Sequence, residues 1–396
     1  RRRIVALVNL RDMLQHAYRN GYAVGAFDLV SLEFLEGIIS AAEQHRSPVI
    51  LSLAESHFDH YDFDLLMPAV VEAARRASVP VAIHLDHGAS QDSAVRAINR
   101  GCNGVMVDAS HHPVSDNIRI TSGVVQMARG CGVPVEGELG YVPGVEGEDA
   151  VRHPGEIAYT TIEEARRYVD ETGVDFLAVS IGTVHGRMKG SPQLDIQRLK
   201  EINAELSLPL VIHGGTGLSD EQFRDLIANG VAKINYYTAL ADAAAKRMYS
   251  NAMKNPGAGY TRLIEGISED IANEVGRCMQ LWGSAGQADA VQAQSAPWTP
   301  VEHLIIYNVA GISEQEAYDM IAEGERVLST IPGVLHVVTG ESVKEDADYR
   351  YTWLVRFCHT AVIDSYRDHP LHMAFADNRF RPVAGGRISI DYKAIA

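Results

Sequence analysis

The sequence predicts an α/β protein: a closed (β/α)8 barrel, or TIM barrel, followed by a smaller ferredoxin-like α+β domain. Two observations support the barrel. Eight short apolar runs alternate with eight amphipathic segments between residues 23 and 253, and polar side chains gather where the runs end. A third observation supports the second domain, because the order of elements changes after a stretch rich in Ala, Gly, Gln and Ser.

The apolar runs are rich in Val and Ile and bounded by Gly or Pro, as is typical of buried parallel strands. They span residues 23–28, 48–54, 81–87, 104–110, 134–140, 176–182, 209–215 and 232–238. The helical patterns span residues 32–46, 65–77, 93–100, 116–129, 162–171, 195–205, 220–228 and 240–253. An open doubly wound sheet is the alternative. It predicts a glycine-rich phosphate loop after the first strand, where this chain has Leu29, Val30 and Ser31.

The domain organisation follows from composition. Residues 283–300 have the composition of a linker, with Asp289 as their only charge. After them the pattern reads strand 302–309, helix 314–328, strands 335–341 and 351–357, helix 360–367 and strand 387–392. This βαββαβ order is that of a ferredoxin-like unit. We therefore expect a barrel over residues 1–286, a linker over 287–300 and a second domain over 301–396.

Charge and composition narrow the function classes. The chain has 35 Lys and Arg against 51 Asp and Glu, a net charge of −16, so we expect no nucleic-acid binding. No apolar run approaches the roughly 18 residues of a membrane span, and residues 4–10 are too short for a signal peptide. The four cysteines lack CxxC spacing and are expected to be reduced and non-catalytic. We expect a cytoplasmic protein that acts on a small molecule.

Three histidines predict a metal site. His87, His185 and His213 each end a predicted strand, and each is followed by Gly. Three imidazoles that converge and leave a fourth position open describe a catalytic zinc site. A single strand-end histidine is more often a hydrogen-bonded structural residue, but three at one rim favour the metal.

Carboxylates accompany these histidines. Asp86 adjoins His87, so it either orients that ligand or acts as a general acid/base. Glu136 and Glu138 share one face of the fifth strand, and Asp108 ends the fourth. They form a second cation site or pair with Arg or Lys.

Three loops and one lysine complete the candidate site. The loop 141–159 carries Glu146 near its tip and is either a solvated loop or a lid that delivers a base. The glycine-rich residues 214–217 and the segment 235–238 follow the last two strands, where barrels commonly hold a phosphate on backbone N–H groups. Lys233 lies inside a strand run, where we expect a packing or ion-pair role.

Together these residues resemble the class II, zinc-dependent ketose-bisphosphate aldolases, a family that includes fructose- and tagatose-bisphosphate aldolases. The resemblance covers about residues 10–286 and rests on the motifs HLDHG, VMVDASHHP, VEGELG, AVSIGTVHG, HGGTG and KINYYT in that order. It implies a carbon–carbon lyase that reversibly cleaves a ketose phosphate or bisphosphate to dihydroxyacetone phosphate and an aldehyde. A metal-dependent hydrolase on the same barrel and a non-catalytic sugar-phosphate-binding regulator are the alternatives.

The resemblance also implies roles for individual residues. His87, His185 and His213 would bind Zn²⁺, with a monovalent cation as a further candidate cofactor. Asp86 would be the proton donor in condensation and the base in cleavage, and Glu146 would move the proton at the donor carbon. The second metal site would use Asp108 and Glu138. The substrate positions would be Asp28, Gly186, Lys189, Gly214, Gly215, Thr216, Asn235, Tyr236, Tyr237 and Thr238.

Departures from the family pattern concern the acceptor aldehyde. Asp28 stands where the family usually has Asn, Ala54 where it has Ser or Thr, and Tyr237 where it has a small or acidic residue. Asp28 and Glu55 add carboxylates to the rim, which predicts an acceptor half without a phosphate. The other possibility is that a basic residue such as Arg187 holds an anionic acceptor.

Residues 301–396 resemble the stress-responsive A/B-barrel (Dabb) domains. The match rests on Glu302-His303-Leu304, Ile331-Pro332-Gly333-Val334 and the segment Tyr366-Arg367-Asp368-His369-Pro370-Leu371-His372. Such domains usually pair their sheets between two copies. The resemblance therefore implies a homo-oligomer, either a dimer or a tetramer.

Overall fold

The computed structural model describes residues 5–142, 149–150, 158–188 and 193–394. The barrel strands, numbered in chain order with the others, are β1 (Val24–Asp28), β2 (Val49–Ala54), β3 (Val81–Gly88), β4 (Gly104–Val107), β5 (Val135–Leu139), β7 (Phe176–Val179), β9 (Leu210–Ile212) and β10 (Val231–Tyr236). They close in the order β1-β10-β9-β7-β5-β4-β3-β2, and neighbouring strands are parallel. Two short strands, β6 (Asp149–Ala150) and β8 (Arg187–Met188), pair with each other outside the barrel.

A helix follows each barrel strand, which confirms the predicted (β/α)8 barrel. The helices are α2 (Leu32–Gln44), α3 (Phe63–Arg76), α4 (Gln91–Arg100), α5 (Val114–Cys131), α6 (Ile162–Thr172), α7 (Ile196–Leu206), α8 (Asp220–Ala228) and α9 (Thr238–Lys254). The predicted strands 104–110, 176–182 and 209–215 extend beyond the observed ones. Their last residues leave the strand geometry at the rim, where the candidate site lies.

The barrel interior is apolar at one end. Inward-facing residues such as Ala26, Ile50 and Val211 form one cluster with the buried face of α1 (Leu10–Asn20), a helix that the sequence analysis did not identify. Val8, just before α1, bonds through its N–H to the carbonyl of Val81 at the start of β3, so α1 closes the N-terminal end of the barrel. The polar side chains are thereby left to the opposite, carboxyl end.

Three helices that were not predicted follow the barrel: α10 (Tyr260–Leu263), α11 (Ile267–Leu281) and α12 (Ala288–Gln294). α11 packs against α2, and Ile271 on α11 approaches Gly37 on α2 so closely that a Cβ on Gly37 would lie 2.7 Å from its Cγ2. Trp282 at the end of α11 stacks on Phe27 of β1, with ring centroids 5.7 Å apart. These contacts attach α11 to the first βα unit of the barrel.

The C-terminal domain is an antiparallel sheet with helices on one face, which confirms the predicted ferredoxin-like fold. Its elements are β11 (Val301–Val309), α13 (Glu314–Leu328), β12 (Val334–Glu341), β13 (Tyr351–Phe357), α14 (Val362–Arg367), α15 (Pro370–Phe375), a π-helical turn (Ala376–Phe380) and β14 (Ala384–Tyr392). The strand order is β12-β13-β11-β14. Alternate β13 residues are buried toward the helices, so the other sheet face is turned away from the domain's core.

The two domains contact each other directly. The Asn99 amide of α4 donates to the carbonyls of Ser329 and Ile331 at 3.2 and 3.1 Å and accepts from the N–H of Gly333 at 2.8 Å. The segment predicted as a linker contains α12, and beyond it the N–H of Trp298 bonds to Leu7. These contacts attach the C-terminal domain to helix α4 and to the segment that precedes α1.

Two expectations from composition concern single features. All four cysteines are buried free thiols. Among the residues that the structure describes, no helix has the length and hydrophobicity needed to cross a membrane.

Candidate active site at the carboxyl ends of the strands

The structure brings the three predicted histidines together at the carboxyl rim. The ring centroids of His87 and His185 are 4.9 Å apart, those of His87 and His213 are 4.6 Å apart, and those of His185 and His213 are 5.8 Å apart. One nitrogen from each ring falls within 4.8 Å of the other two. The three rings are therefore close enough together to share one ion.

The backbone at the end of β3 turns His87 into this cluster. Strand alternation alone would place His87 on the outward face with Leu85. Instead the pairing of β3 with β4 slips between Leu85 and Gly88, and His87 has φ = 45°, a left-handed conformation rare for a residue with a side chain. Backbone strain of this kind is found where the surrounding structure imposes a functional position.

Carboxylates fix the orientation of two of the rings. His87 donates from Nδ1 to Asp108 at 2.9 Å, and His213 donates from Nε2 to Glu136 at 2.9 Å. The remaining nitrogens, His87 Nε2 and His213 Nδ1, are buried and lack a hydrogen-bond partner in the described part of the chain. Because a buried nitrogen acceptor without a partner is costly, these two atoms fit a metal ion.

Asp86 lies beside this cluster and is almost completely buried. Its carboxylate Oδ1 has no hydrogen-bond partner among the described residues. Burial alone would raise the pKa of Asp86, but the neighbouring imidazoles of His87 and His213 and the ammonium group of Lys233 lower it well below its usual range. Asp86 is therefore an ionised carboxylate that can accept a proton from a substrate.

A buried ion pair inside the barrel contacts the histidine cluster through Glu136. Lys233 Nζ lies 2.7 Å from Glu136 Oε2, and both side chains are 0% exposed. Burial raises the pKa of Glu136, but Lys233 and the hydrogen bond from His213 lower it to about 2, so the carboxylate stays charged. Burial followed by Lys233 lowers the pKa of the adjacent His84 to about 3, so this imidazole is neutral. The expected ion-pair role of Lys233 agrees with this geometry.

A second group of possible ligands lies next to the first. His87, Asp108 and Glu138 bring one ligand atom each within 4.8 Å of one another, and Glu138 Oε2 is buried without a partner among the described residues. Burial and then the negative charge of Asp108 raise the pKa of Glu138 to about 8. A carboxyl group that is protonated near neutral pH becomes a good ligand when a cation displaces its proton.

The glycine-rich turn after β9 brings backbone close to the rim. Gly214 has φ = 71°, and a Cβ at this position would lie 2.2 Å from the carbonyl oxygen of Val184. Gly186, another of the glycines predicted to bind substrate, also has positive φ, at 85°. Gly215 and Thr216 continue the turn toward α8, whose own N-terminus is capped by Ser219 and Gln222.

The segment after β10 divides between the rim and the helix layer. Asn235 accepts a 2.7 Å hydrogen bond from Lys233, and its buried Nδ2 has no partner among the described residues. The Tyr236 hydroxyl donates to Glu274 on α11, so its side chain faces outward. The Tyr237 ring lies 4.4 Å from that of His57, and Thr238 begins α9. Tyr236 therefore offers only its backbone to a ligand at the rim.

The two carboxylates predicted at the rim, Glu55 and Asp28, have different surroundings. Glu55 accepts from the Ala89 N–H at 2.6 Å and from the Ser93 hydroxyl at 2.8 Å, so it is bound to the start of α4. Asp28 remains buried at the end of β1 and raises the pKa of Tyr61, after the larger effect of burial. Arg187 forms an exposed ion pair with Asp242, at 2.9 Å from its Nε.

Two predicted site residues, Glu146 and Lys189, lie outside the described residues. Conversely, Glu136 and Tyr61 lie at the site but had no defined role predicted from the sequence. The signal for Glu136 was its alternation with Glu138, which places both in the barrel, but spacing could not show which histidine it would contact. Nothing in the spacing of Tyr61 pointed to the rim, because it lies in the irregular segment between β2 and α3.

Comparison with known proteins identifies relatives of both domains. A family model described as fructose-bisphosphate aldolase class-II matches residues 8–287, and one described as stress responsive A/B barrel domain matches residues 301–394. A probable fructose-bisphosphate aldolase of Bacillus subtilis is 40% identical over 287 residues, covering 71% of this chain and 99% of the relative. The fructose-bisphosphate aldolase of Geobacillus stearothermophilus is 40% identical over 290 residues, covering 72% and 99%.

Solved structures show the same relationship. The YdjI aldolase from Escherichia coli K12 superposes with a TM-score of 0.64 and 33% identity, covering 71% of this chain and 99% of that one. A putative fructose-1,6-biphosphate aldolase from Coccidioides immitis gives a TM-score of 0.65 and 33% identity, covering 71% and 98%. The chain therefore belongs to the class-II fructose-bisphosphate aldolase family, as an aldolase whose barrel is followed by a stress-responsive A/B-barrel domain.

Proposed function

We propose that this aldolase depends on zinc and cleaves a ketose phosphate or bisphosphate reversibly to dihydroxyacetone phosphate and an aldehyde. The three-histidine cluster carries the proposal, because two of its rings present buried nitrogens that have no hydrogen-bond partner in the described part of the chain. Relatives named as fructose-bisphosphate aldolases support a sugar phosphate as the substrate. His87, His185 and His213 are the proposed ligands.

Asp86 is the proposed base for cleavage. A bound zinc ion supplies Lewis-acid polarisation of the substrate carbonyl. Ionised Asp86 takes the proton of the C4 hydroxyl, the C3–C4 bond breaks, and its electron pair moves toward the C2 carbonyl. Asp86 then carries the proton that it returns to the aldehyde in condensation. Glu146 is proposed to protonate C3 and so complete release of the donor half.

The donor phosphate is proposed to lie between the two loops after the last barrel strands. The close approach of Gly214 to Val184 shows that the chain has no room there for a side chain. Backbone N–H groups of Gly215 and Thr216, together with the N-terminus of α9, can then face an anion. Gly186, Asn235 and Thr238 complete the proposed donor site, with Lys189 as a further contact. Asp108 and Glu138 are proposed to hold a second cation.

The acceptor half is proposed to lack a phosphate. The buried carboxylate of Asp28 at the end of β1, near Tyr61, supports this proposal, because a carboxylate at the rim disfavours a second phosphate. Arg187 is engaged with Asp242 and Lys233 with Glu136, so neither offers an unpaired cation to a second phosphate. The acceptor assignment starts from the proposed donor site, but separate measurements test the two assignments.

The test measures release of dihydroxyacetone phosphate from ketose 1-phosphates and the matching 1,6-bisphosphates. We expect a strong chelator to abolish cleavage and zinc to restore it. Asp86→Asn should keep its metal and lose on the order of 10²-fold or more in kcat. Asp116→Asn, which changes an exposed carboxylate on α5, is the matched control and should retain full activity. Full activity of metal-free protein would contradict the zinc proposal.

Two further measurements separate the remaining assignments. A preference in kcat/KM of about tenfold for the bisphosphate, which corresponds to roughly 1.4 kcal/mol, would contradict the acceptor assignment. Glu146→Ala should slow exchange of the donor's C3 proton. If that exchange keeps the wild-type rate, Glu146 is not the group that protonates C3.

We also propose a homo-oligomer that pairs the C-terminal sheets of two copies. The sheet face turned away from the helices carries Val338, Ile388 and Ile390, each more than half exposed. Ile388 and Ile390 lie directly opposite Ile306 and Leu304 of β11, so the apolar side chains form one continuous patch. A patch of this kind on an otherwise acidic chain is typical of a protein interface.

A second copy is the proposed occupant because such a face buries itself when two sheets stack. Ile388→Lys/Ile390→Lys should reduce the mass measured by light scattering, whereas Val343→Lys, a fully exposed loop position, should not. An unchanged mass in the double variant would contradict sheet pairing.

The proposed domain division is residues 1–286, 287–300 and 301–396.

A further inference from the structure

A cavity of about 230 Å³ lies between the barrel and the C-terminal domain. Its walls come from α3 and α4, from Trp298 and Pro300, and from the adjoining strands β12 and β13 with Cys358. None of the lining residues belongs to the proposed aldolase site. The volume is somewhat below the roughly 300–1,000 Å³ of drug-sized ligand sites, which suits a small metabolite.

One side of this cavity is cationic. Arg75, Arg100 and Arg356 line it together with His336, and Glu72 is the one carboxylate among the described lining residues. Burial has the largest effect on the pKa of His336 and lowers it. The charges of all three arginines lower this pKa further, so the three guanidinium groups lie close enough to act on the same imidazole. This contrasts with the net charge of −16 of the whole chain.

Arg75 is the arginine that lacks a partner. Arg100 pairs with Asp64 at 3.0 Å, and Arg356 pairs with Glu302 at 2.6 Å; neither carboxylate belongs to the cavity lining. Arg75 makes no ion pair or hydrogen bond within the described part of the chain. Burial and then Arg356 lower the pKa of Arg75, although Glu72 and Glu302 act in the opposite direction. Arg75 is open to solvent, and a guanidinium group beside a second one, with no protein acceptor among the described residues, gains from a bound anion.

The other side of the cavity is apolar and rigid. Met67 and Trp298 are 0% and 4% exposed, and Leu7, Val71 and Leu335 continue the same surface. The Trp298 ring stacks on His359 with a centroid distance of 4.4 Å, which fixes its plane. A ligand that fills this side therefore needs an apolar body.

We propose that this interdomain site binds a small organic anion, with one carboxylate or phosphate group on an apolar body about the size of one ring. The anionic group lies against Arg75 and Arg356, and the apolar body lies against Met67 and Trp298. Because its walls come from both domains, the ligand contacts the barrel and the C-terminal domain at once. This inference does not depend on the proposed zinc or substrate assignments.

Calorimetric titration of the full-length chain tests the proposal with four probes. Benzoate and phenyl phosphate carry both halves of the proposed ligand, benzamide lacks the charge, and inorganic phosphate lacks the apolar body. We expect saturable binding of benzoate or phenyl phosphate, with benzamide and inorganic phosphate at least tenfold weaker. The tighter of the first two identifies the anionic group.

Variants connect the binding to the site. Arg75→Gln should weaken the tighter probe at least tenfold and leave aldolase activity and the circular dichroism spectrum unchanged. Arg76→Gln, at the next position of α3 but outside the lining, is the matched control and should bind as the wild type does. The proposal is overturned if neither aromatic probe binds, if benzamide binds equally well, or if Arg75→Gln retains full affinity.

Discussion

Replacement of Lys233 by Met should strongly destabilise the barrel. The ammonium group lies 2.7 Å from Glu136 Oε2, and both side chains are 0% exposed. Removing one partner of a buried ion pair leaves an uncompensated charge and typically costs about 3–5 kcal/mol. Glu136 keeps the hydrogen bond from His213, which favours the lower end of this range, about 3 kcal/mol.

Urea unfolding followed by circular dichroism measures this cost. The protein is kept in excess chelator, so that any loss of metal affinity does not contribute to the measured free energy of unfolding. Arg167→Met removes an exposed ion pair with Glu171 on α6 and is the matched control, for which we expect an unchanged midpoint. The double variant Lys233→Met/Glu136→Gln should recover more than half of the loss, because the buried charge is gone.

The effect of Lys233→Met should depend on pH in a defined direction. In the wild type the pKa of Glu136 is about 2 instead of 4.5, so its stabilising contribution is complete above pH 4.5 and is lost as the pH falls toward 2. Without the ammonium group, burial raises this pKa, so the variant is weakest at neutral pH. The difference between the two proteins should therefore narrow below pH 4.5. A loss of less than about 1 kcal/mol at pH 7, or a double variant no more stable than the single one, would refute the reasoning.

Three other predictions follow from the same structure. Asp108→Asn replaces the carboxylate that orients His87 and should lower zinc affinity on the order of 10–100-fold in a competition titration against a chromogenic chelator; unchanged affinity would exclude that role. Gly214→Ala should lower the melting temperature far more than Gly21→Ala, because both glycines have positive φ but only Gly214 meets a backbone atom, at 2.2 Å; equal shifts would mean that the close approach has no cost. Asn99→Ala should lose about 1–3 kcal/mol of domain docking and speed proteolysis between residues 295 and 301; an unchanged cleavage rate would show that the domains are held by other contacts.

Periodicity predicted the barrel well because each strand is buried on both faces and each helix has one apolar face. The predicted span 220–228 coincides with α8, where Ser219 and Gln222 form a capping box that marks the helix start. Helices α1 and α11 were not predicted because they do not alternate with strands, and the repeating pattern was the main evidence for the other barrel helices. A repeating pattern identifies the helices of the βα units, but it does not identify helices that are added outside those units.

The candidate site was predictable in part. The three histidines were found because each ends a strand and precedes a glycine. The contact between His213 and Glu136 was not predicted, because the two residues are 77 positions apart in sequence and the register of the barrel decides the contact. Glu55 was predicted as a rim carboxylate from its position after β2, but strand spacing could not show that it accepts hydrogen bonds from the Ala89 N–H and the Ser93 hydroxyl.

The contact made by Asn99 has a consequence for the construction of chimaeras. One side-chain amide recognises three backbone groups of a single turn, Ser329, Ile331 and Gly333, and therefore reads the path of that turn but not its side chains. A C-terminal domain from another protein would need its equivalent turn to keep the same course, and it would also need to replace side-chain contacts such as that of the Ser365 hydroxyl with the Gly130 carbonyl. Conversely, the barrel of a single-domain aldolase would need an amide at the end of α4 before it could accept this domain as a fixed neighbour.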